Sequence, residues 1–171
     1  MATPTYDLLD SVTVSTPVTE VTFTSIGSSY RDLVLVGADI LGSSGSGTIG
    51  VWASINSDTG TNYNAVWMRG DGTTPNSLSD ANNDKFAPLV RYNPSETSAG
   101  QFIAHFLDYS ATDKHKSILV RSNTLSTGGV AAGALRWASN SAITSITIYN
   151  SNYGFDFFAT GSTFYLYGVA A

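Results

Sequence analysis

At 171 residues the chain has the size of one domain, and folding at this length buries roughly 70% of the surface that the unfolded chain exposes. Without cysteine it has no disulfide framework, no thiol nucleophile and no thiolate zinc site. Only 12% of residues are charged and the net charge is -5, so there is no basic footprint for nucleic acid, and the spread of the acids reads as ordinary solubility.

Taken in order, Met1 to Asp10 carries no Lys or Arg and no apolar run of signal-peptide length. It reads either as an N-terminal arm reaching a neighbour or as a first edge strand. No stretch approaches the length of a membrane span. The one near-match to a glycosylation sequon, Asn93-Pro94-Ser95, is blocked by its proline, which fits a prokaryotic or viral origin.

Strong helix formers are scarce: Glu stands only at positions 20 and 96, and Lys only at 85, 114 and 116. The β-branched and aromatic residues are abundant instead. Alternating apolar positions mark one face of successive strands: Val12 and Val14; Val21 and Phe23; Val51, Ala53 and Ile55; Phe102, Ala104 and Phe106; Ile118 and Val120; Ile146 and Ile148; Phe164 and Leu166. Leu33-Val34-Leu35-Val36 is apolar on both faces, which predicts a central strand covered by a second sheet and by a loop or neighbouring subunit.

Turn clusters at Gly27-Ser28-Ser29, Asp58-Thr59-Gly60, Gly70-Asp71-Gly72, Asn93-Pro94-Ser95 and Thr127-Gly128-Gly129 separate these runs. Their spacing predicts one all-β domain of about eight to ten short strands over residues 1–171, the pattern of a sandwich or barrel, with a single-domain antiparallel β-sandwich the expected form. The glycine-rich run within Leu41 to Thr48 reads as a long hairpin loop, because the residues before it are too few to bury a core. Asn76 to Phe86, polar and aperiodic, reads as a mobile surface loop.

Most motifs of catalysis and ligand binding fail on their context. Gly45-Ser46-Gly47-Thr48-Ile49-Gly50 matches a dinucleotide fingerprint, but a strand pattern follows where the pyrophosphate needs a helix N-terminus. Asp80-Ala81-Asn82-Asn83-Asp84 opens like a calcium loop, yet Lys85 replaces the required glycine and Arg91 the closing acid. A solvated Asx-rich turn is the better reading, with an irregular calcium site the alternative.

His105 and His115, with Asp108 and Asp113 nearby in sequence, are the available neutral-pH bases, and both read as structural. No nucleophile elbow is present. Paired carboxylates for glycoside hydrolysis are not excluded by sequence, but Asp58, Asp71, Asp80, Asp84 and Asp113 all sit in turn contexts. The expectation is therefore no enzyme, no metal and no cofactor.

Aromatic residues are the better lead. Trp52, Trp67, Trp137, Tyr165 and Tyr167 are candidates for a subunit interface, since such side chains offer large area at low entropic cost. With Phe164 and Leu166 inward, Tyr165 and Tyr167 must face the other way. That face is buried against another subunit, covered within the same chain, or used to bind a ligand.

Three segments carry a resemblance to known proteins. They are Val21 to Ile26 with Tyr30-Arg31-Asp32-Leu33-Val34-Leu35; Ile55 to Tyr63 with the Lys114-His115-Lys116-Ser117 run; and Trp137 with Ala142 to Ile148, closing on Gly161 to Gly168. In this order they resemble a family of small bacteriophage virion structural proteins, including cyanophage members. Where that family often has Pro after Ile26, this chain has Gly27.

The resemblance implies a jelly-roll-like sandwich forming homotrimers on capsids or in tail appendages, and it transfers no active site. The leading expectation is a capsid cement or decoration protein contacting itself and the major capsid protein. The alternative is a tail or fibre-tip module that binds host-surface carbohydrate. The absence of a coiled-coil or repetitive shaft favours the former.

Overall fold

The structure, a computed structural model, describes residues 4–42, 49–70, 73–92, 99–123, 129–151 and 158–170; the side chains of 49, 87, 88, 91, 92 and 151 are left out of account. Among the described residues there is no helix and there are twelve strands: β1 (Tyr6–Thr13), β2 (Glu20–Phe23), β3 (Asp32–Ile40), β4 (Ile49–Ile55), β5 (Tyr63–Gly70), β6 (Pro75–Asn83), β7 (Phe86–Tyr92), β8 (Gly100–Leu107), β9 (Lys116–Asn123), β10 (Val130–Trp137), β11 (Ile146–Ser151) and β12 (Thr163–Val169). They form an eight-stranded sheet, β1-β12-β3-β8-β9-β10-β5-β6, and a four-stranded sheet, β2-β11-β4-β7.

The pairing is nested. β1 lies against β12, β2 against β11, β3 against β8 and β4 against β7, all antiparallel. That is one long hairpin wrapped so that successive strands alternate between two sheets, the topology of a jelly roll. Two further hairpins are inserted: β5–β6 between β4 and β7, and β9–β10 between β8 and β11. Both add to the same sheet, through β8 to β9 and β10 to β5, and widen it from four strands to eight.

The insertions explain why there are twelve strands rather than eight to ten. Most of Asn76 to Phe86, expected as a mobile loop, belongs to the edge strand β6 (Pro75–Asn83), exposed almost throughout, and Phe86 begins β7. The alternation of β6 is invisible in sequence because neither of its faces is buried, so polar residues occupy both. The segment after Ile40 is likewise no hairpin, since β3 and β4 belong to different sheets; residues 43–48, and with them most of the glycine motif, lie outside the described residues. Tyr6 to Asp10 is no free arm but part of β1, paired with β12.

The core lies between the sheets, where the alternating positions read from sequence converge: Phe23, Ala53, Ile55, Phe102, Phe106, Ile118, Ile146, Ile148, Phe164 and Leu166 are all buried. Each apolar side chain taken fully out of water stabilises the fold by about 1.5–3 kcal/mol before entropy is counted. β3 sits between β12 and β8 as expected of a central strand, with Leu33 and Leu35 fully buried beneath the four-stranded sheet. One close approach needs glycine: Phe102 lies over its cross-strand partner Gly37, and a Cβ there would run into the ring.

Candidate functional site

Because cross-strand partners share a face, the register defines what the outer side of the eight-stranded sheet presents. One row crosses all eight strands: Leu8, Tyr167, Val34, His105, Leu119, Ala134, Val66 and Ser79. The row beside it runs Ser11, Tyr165, Val36, Ile103, Arg121, Ala132, Met68 and Ser77. The side chains that meet solvent are mostly apolar, with Leu8 54%, Leu119 52%, Val66 55% and Met68 66% exposed.

Tyr165 and Tyr167 project from β12 onto this face, two residues apart and therefore on the same side of the strand. Their rings are half-buried and stacked, with centroids 6.3 Å apart and planes inclined by 28°. Beside Tyr167 is a concavity of about 540 Å³ lined by Val34, Ile103, His105, Leu119 and Arg121. A second, of about 440 Å³, adjoins it and shares Val36, Ile103 and Arg121.

The other three aromatic candidates do not join the tyrosines. Trp67 and Trp137 face inward and are buried in the core, so neither is available to a partner. Trp137 is there because its indole has a polar partner inside: Nε1 donates to Asp58 Oδ2 at 2.7 Å. Trp52 is half-buried on the opposite side of the sandwich, across from Tyr149 in the four-stranded sheet.

That opposite face is polar and largely satisfied by its own contacts. Thr22 donates to Thr147 at 3.1 Å, Ser54 and Tyr149 share a hydrogen bond of 3.0 Å, and Lys85 lies 5.5 Å from the Tyr149 ring centre. The two outer surfaces of the sandwich thus differ in kind.

Of the groups considered for chemistry, Asp58 is held in a structural role. Asp58 anchors the β4–β5 turn, accepting from Gly60 N and Asn62 Nδ2 at 2.8 Å each as well as from Trp137. Burial alone would raise its carboxyl, but the hydrogen bonds from Trp137, Asn62 and Gly60 outweigh that and hold it below the ordinary carboxylate value. It is an anion in place, not a proton donor.

His105 is half-exposed on the outer face, its Nε2 3.4 Å from Asp32 Oδ2, while Asp32 Oδ1 accepts from Asp108 N at 2.8 Å. His115 is exposed in the turn before β9. Among the described residues no hydroxyl is hydrogen-bonded to either histidine. Of the calcium-like run Asp80 to Asp84, Asp80 to Asn83 lie along strand β6 and Asp84 in the bend after it, and among the described residues no group of three or more His, Asp or Glu side chains could hold a metal. Asp71 lies outside the described residues.

Lys116 is buried with its ammonium donating to the carbonyls of Ala111 at 2.6 Å and Lys114 at 3.1 Å. Burial lowers its pKa. It closes the loop before β9.

Sequence reasoning found the tyrosines but missed their apolar neighbours. The signal was present: Ile118-Leu119-Val120 and Ala65-Val66-Trp67-Met68 are apolar on both faces, as Leu33 to Val36 is. In each run one alternation is consumed by the core and the other is left for the outer face.

No protein-family model matches the chain, and none of the curated proteins compared does either. Among solved structures it is similar to the enzymatically active domain of tailspike protein 2 of bacteriophage CBA120, at 15% identity and a TM-score of 0.37, over 99% of this chain. The chain spans 29% of the length of that chain, and a likeness of this degree does not establish a shared fold.

Proposed function

We propose that the protein is a non-enzymatic structural component of a bacteriophage virion, and within the virion a capsid cement or decoration protein that acts as a homotrimer. The observation that carries this reading is the nested pairing of β1–β12, β2–β11, β3–β8 and β4–β7. It is the architecture implied by the resemblance of Val21–Ile26 with Tyr30–Leu35, of Ile55–Tyr63 with Lys114–Ser117, and of Trp137 with Ala142–Ile148 and Gly161–Gly168 to small phage virion proteins.

The mechanism is mechanical. A subunit bridging adjacent major-capsid subunits removes apolar area from water at about 25 cal/mol per Å², and that contact area opposes the outward pressure of packaged DNA. The supporting chemistry is of the same kind: structural hydrogen bonds around Asp58 and Lys116.

Quantitative mass spectrometry of purified virions tests the assignment, with hundreds of copies per particle expected. A handful of copies would sink the decoration reading and favour the second one, a tail or fibre-tip module binding host-surface carbohydrate in the concavity beside Tyr167. Turnover of a host glycan, lost on substituting one of the acids, would overturn the non-enzymatic part.

A further inference from the structure

We infer that the outer face of the eight-stranded sheet is the surface on which a second copy of this chain docks. The inference deepens the proposed function and rests on its homo-oligomeric part alone.

The face is large enough for one stable contact. Eight strands about 4.8 Å apart, each running about 23 Å, give a surface of roughly 800 Å², which is the share of one partner in a standard-sized interface. It is also the wrong surface for water: an antiparallel sheet with one solvated side normally alternates apolar inward with polar outward. Here Leu8, Leu119, Val66 and Met68 are each more than half exposed on the side away from the core.

The four-stranded sheet supplies the internal control. It belongs to the same sandwich and the same composition, yet its outer side carries the Thr22–Thr147 and Ser54–Tyr149 hydrogen bonds and follows the rule. Trp52 on that side is half-buried, and among the described residues the exposed large apolar side chains all lie on the eight-stranded sheet. The inserted hairpins β5–β6 and β9–β10 widen that sheet, and Val66, Met68 and Leu119 lie on them. Half of the docking surface is thus built from strands that the jelly roll itself does not require.

Charge selects the occupant. The protein has 13 acidic residues against 8 basic ones, but the two central rows of the face contain no Asp or Glu and include Arg121. Two copies of this acidic chain can therefore meet on this face without bringing carboxylates of the two central rows together. The stacked Tyr165 and Tyr167 and the adjoining concavities provide relief for interdigitation, ridge on one copy and hollow on the other.

Sedimentation velocity of the full chain, up to about 100 µM, tests the inference. The expected result is a concentration-dependent oligomer whose dissociation constant rises at least about tenfold for Leu119→Lys and for Met68→Lys, with Thr22→Lys on the opposite face unchanged. Thermal melting checks that each variant is folded, and Val66→Thr, which keeps the branched shape, is the milder second variant if a lysine is not tolerated.

A chain that stays monomeric throughout this range overturns the inference, as does an oligomer indifferent to all three outer-face substitutions. A monomer whose Leu119→Lys variant no longer enters virions also overturns it, by assigning the face to a different partner. The two readings fail separately: an oligomer present in only a handful of copies per virion sinks the decoration reading and leaves the docking face standing, while a monomer present in hundreds removes the docking face and the homotrimer and leaves the decoration role standing.

Discussion

Trp137 Nε1 donates to Asp58 Oδ2 at 2.7 Å, tying the end of β10 to the turn between β4 and β5. The same turn receives the Tyr63 hydroxyl, which donates to the Asp58 carbonyl at 3.0 Å, and Asn56 and Ser57 in it take positive φ angles of 53° and 55°. A turn in this strained backbone region persists when its surroundings hold it, and here the carboxylate of Asp58 is the centre of what holds it.

Asp58→Ala is expected to lower unfolding stability by about 1–3 kcal/mol, because it leaves the indole and amide donors without their charged acceptor. Trp137→Phe removes one of the same bonds, so the double variant should lose less than the two singles together. Urea unfolding followed by fluorescence and by circular dichroism measures the cycle; strict additivity would show that the bond is not coupled.

The Asp58 carboxyl lies below the ordinary carboxylate value in the folded state, so its contribution is fully present above the unfolded value of about 3.9 and is lost as pH falls through the lower folded value. The stability gap between the wild-type protein and Asp58→Asn is therefore expected to be constant near neutrality and to close below about pH 4. A gap that widened on acidification would contradict this sign.

Tyr63 behaves oppositely at the alkaline end. Burial pushes its phenol up to about 12, and Ile55 N donates to its oxygen at 3.0 Å. A raised folded value gives stability that is complete below the unfolded value of about 10 and disappears as pH rises through the folded one. Unfolding should set in between about pH 10 and 12, worth up to about 3 kcal/mol, and Tyr63→Phe should flatten that limb while costing stability at neutral pH. Denaturant midpoints measured across this range give the slope directly.

Gly37 and Phe102 are cross-strand partners in β3 and β8, and the ring occupies the space a side chain would need. Gly37→Ala is expected to cost about 1–3 kcal/mol by overpacking. Adding Phe102→Leu should recover part of that loss, which differential scanning calorimetry of the single and double variants would read as a partial return of the melting temperature.

Fold class was legible in the sequence because it depends on local periodicity: one buried face makes a strand alternate, as in Phe102-Ile103-Ala104-His105-Phe106. β6 escaped for the same reason, since Pro75–Asn83 has no buried face to impose a pattern. The aromatic candidates divided by direction. Tyr165 and Tyr167 face outward, as their spacing from Phe164 and Leu166 predicts, whereas the interface candidates Trp67 and Trp137 are buried in the core, because composition cannot say which face of β5 or β10 the second sheet covers.

By itself, then, the sequence determined that the chain forms antiparallel strands around an apolar core, that it lacks cysteine chemistry, and that the two tyrosines of its last strand share the face opposite Phe164 and Leu166. Those properties follow from residue type and a two-residue period, which are local. Only the tertiary structure decided that the strands nest as a jelly roll, that two inserted hairpins widen one sheet to eight strands, and that Leu8, Leu119, Val66 and Met68 line up across it. Register between strands distant in sequence is a property of pairing, and no single strand carries the information that fixes its neighbour.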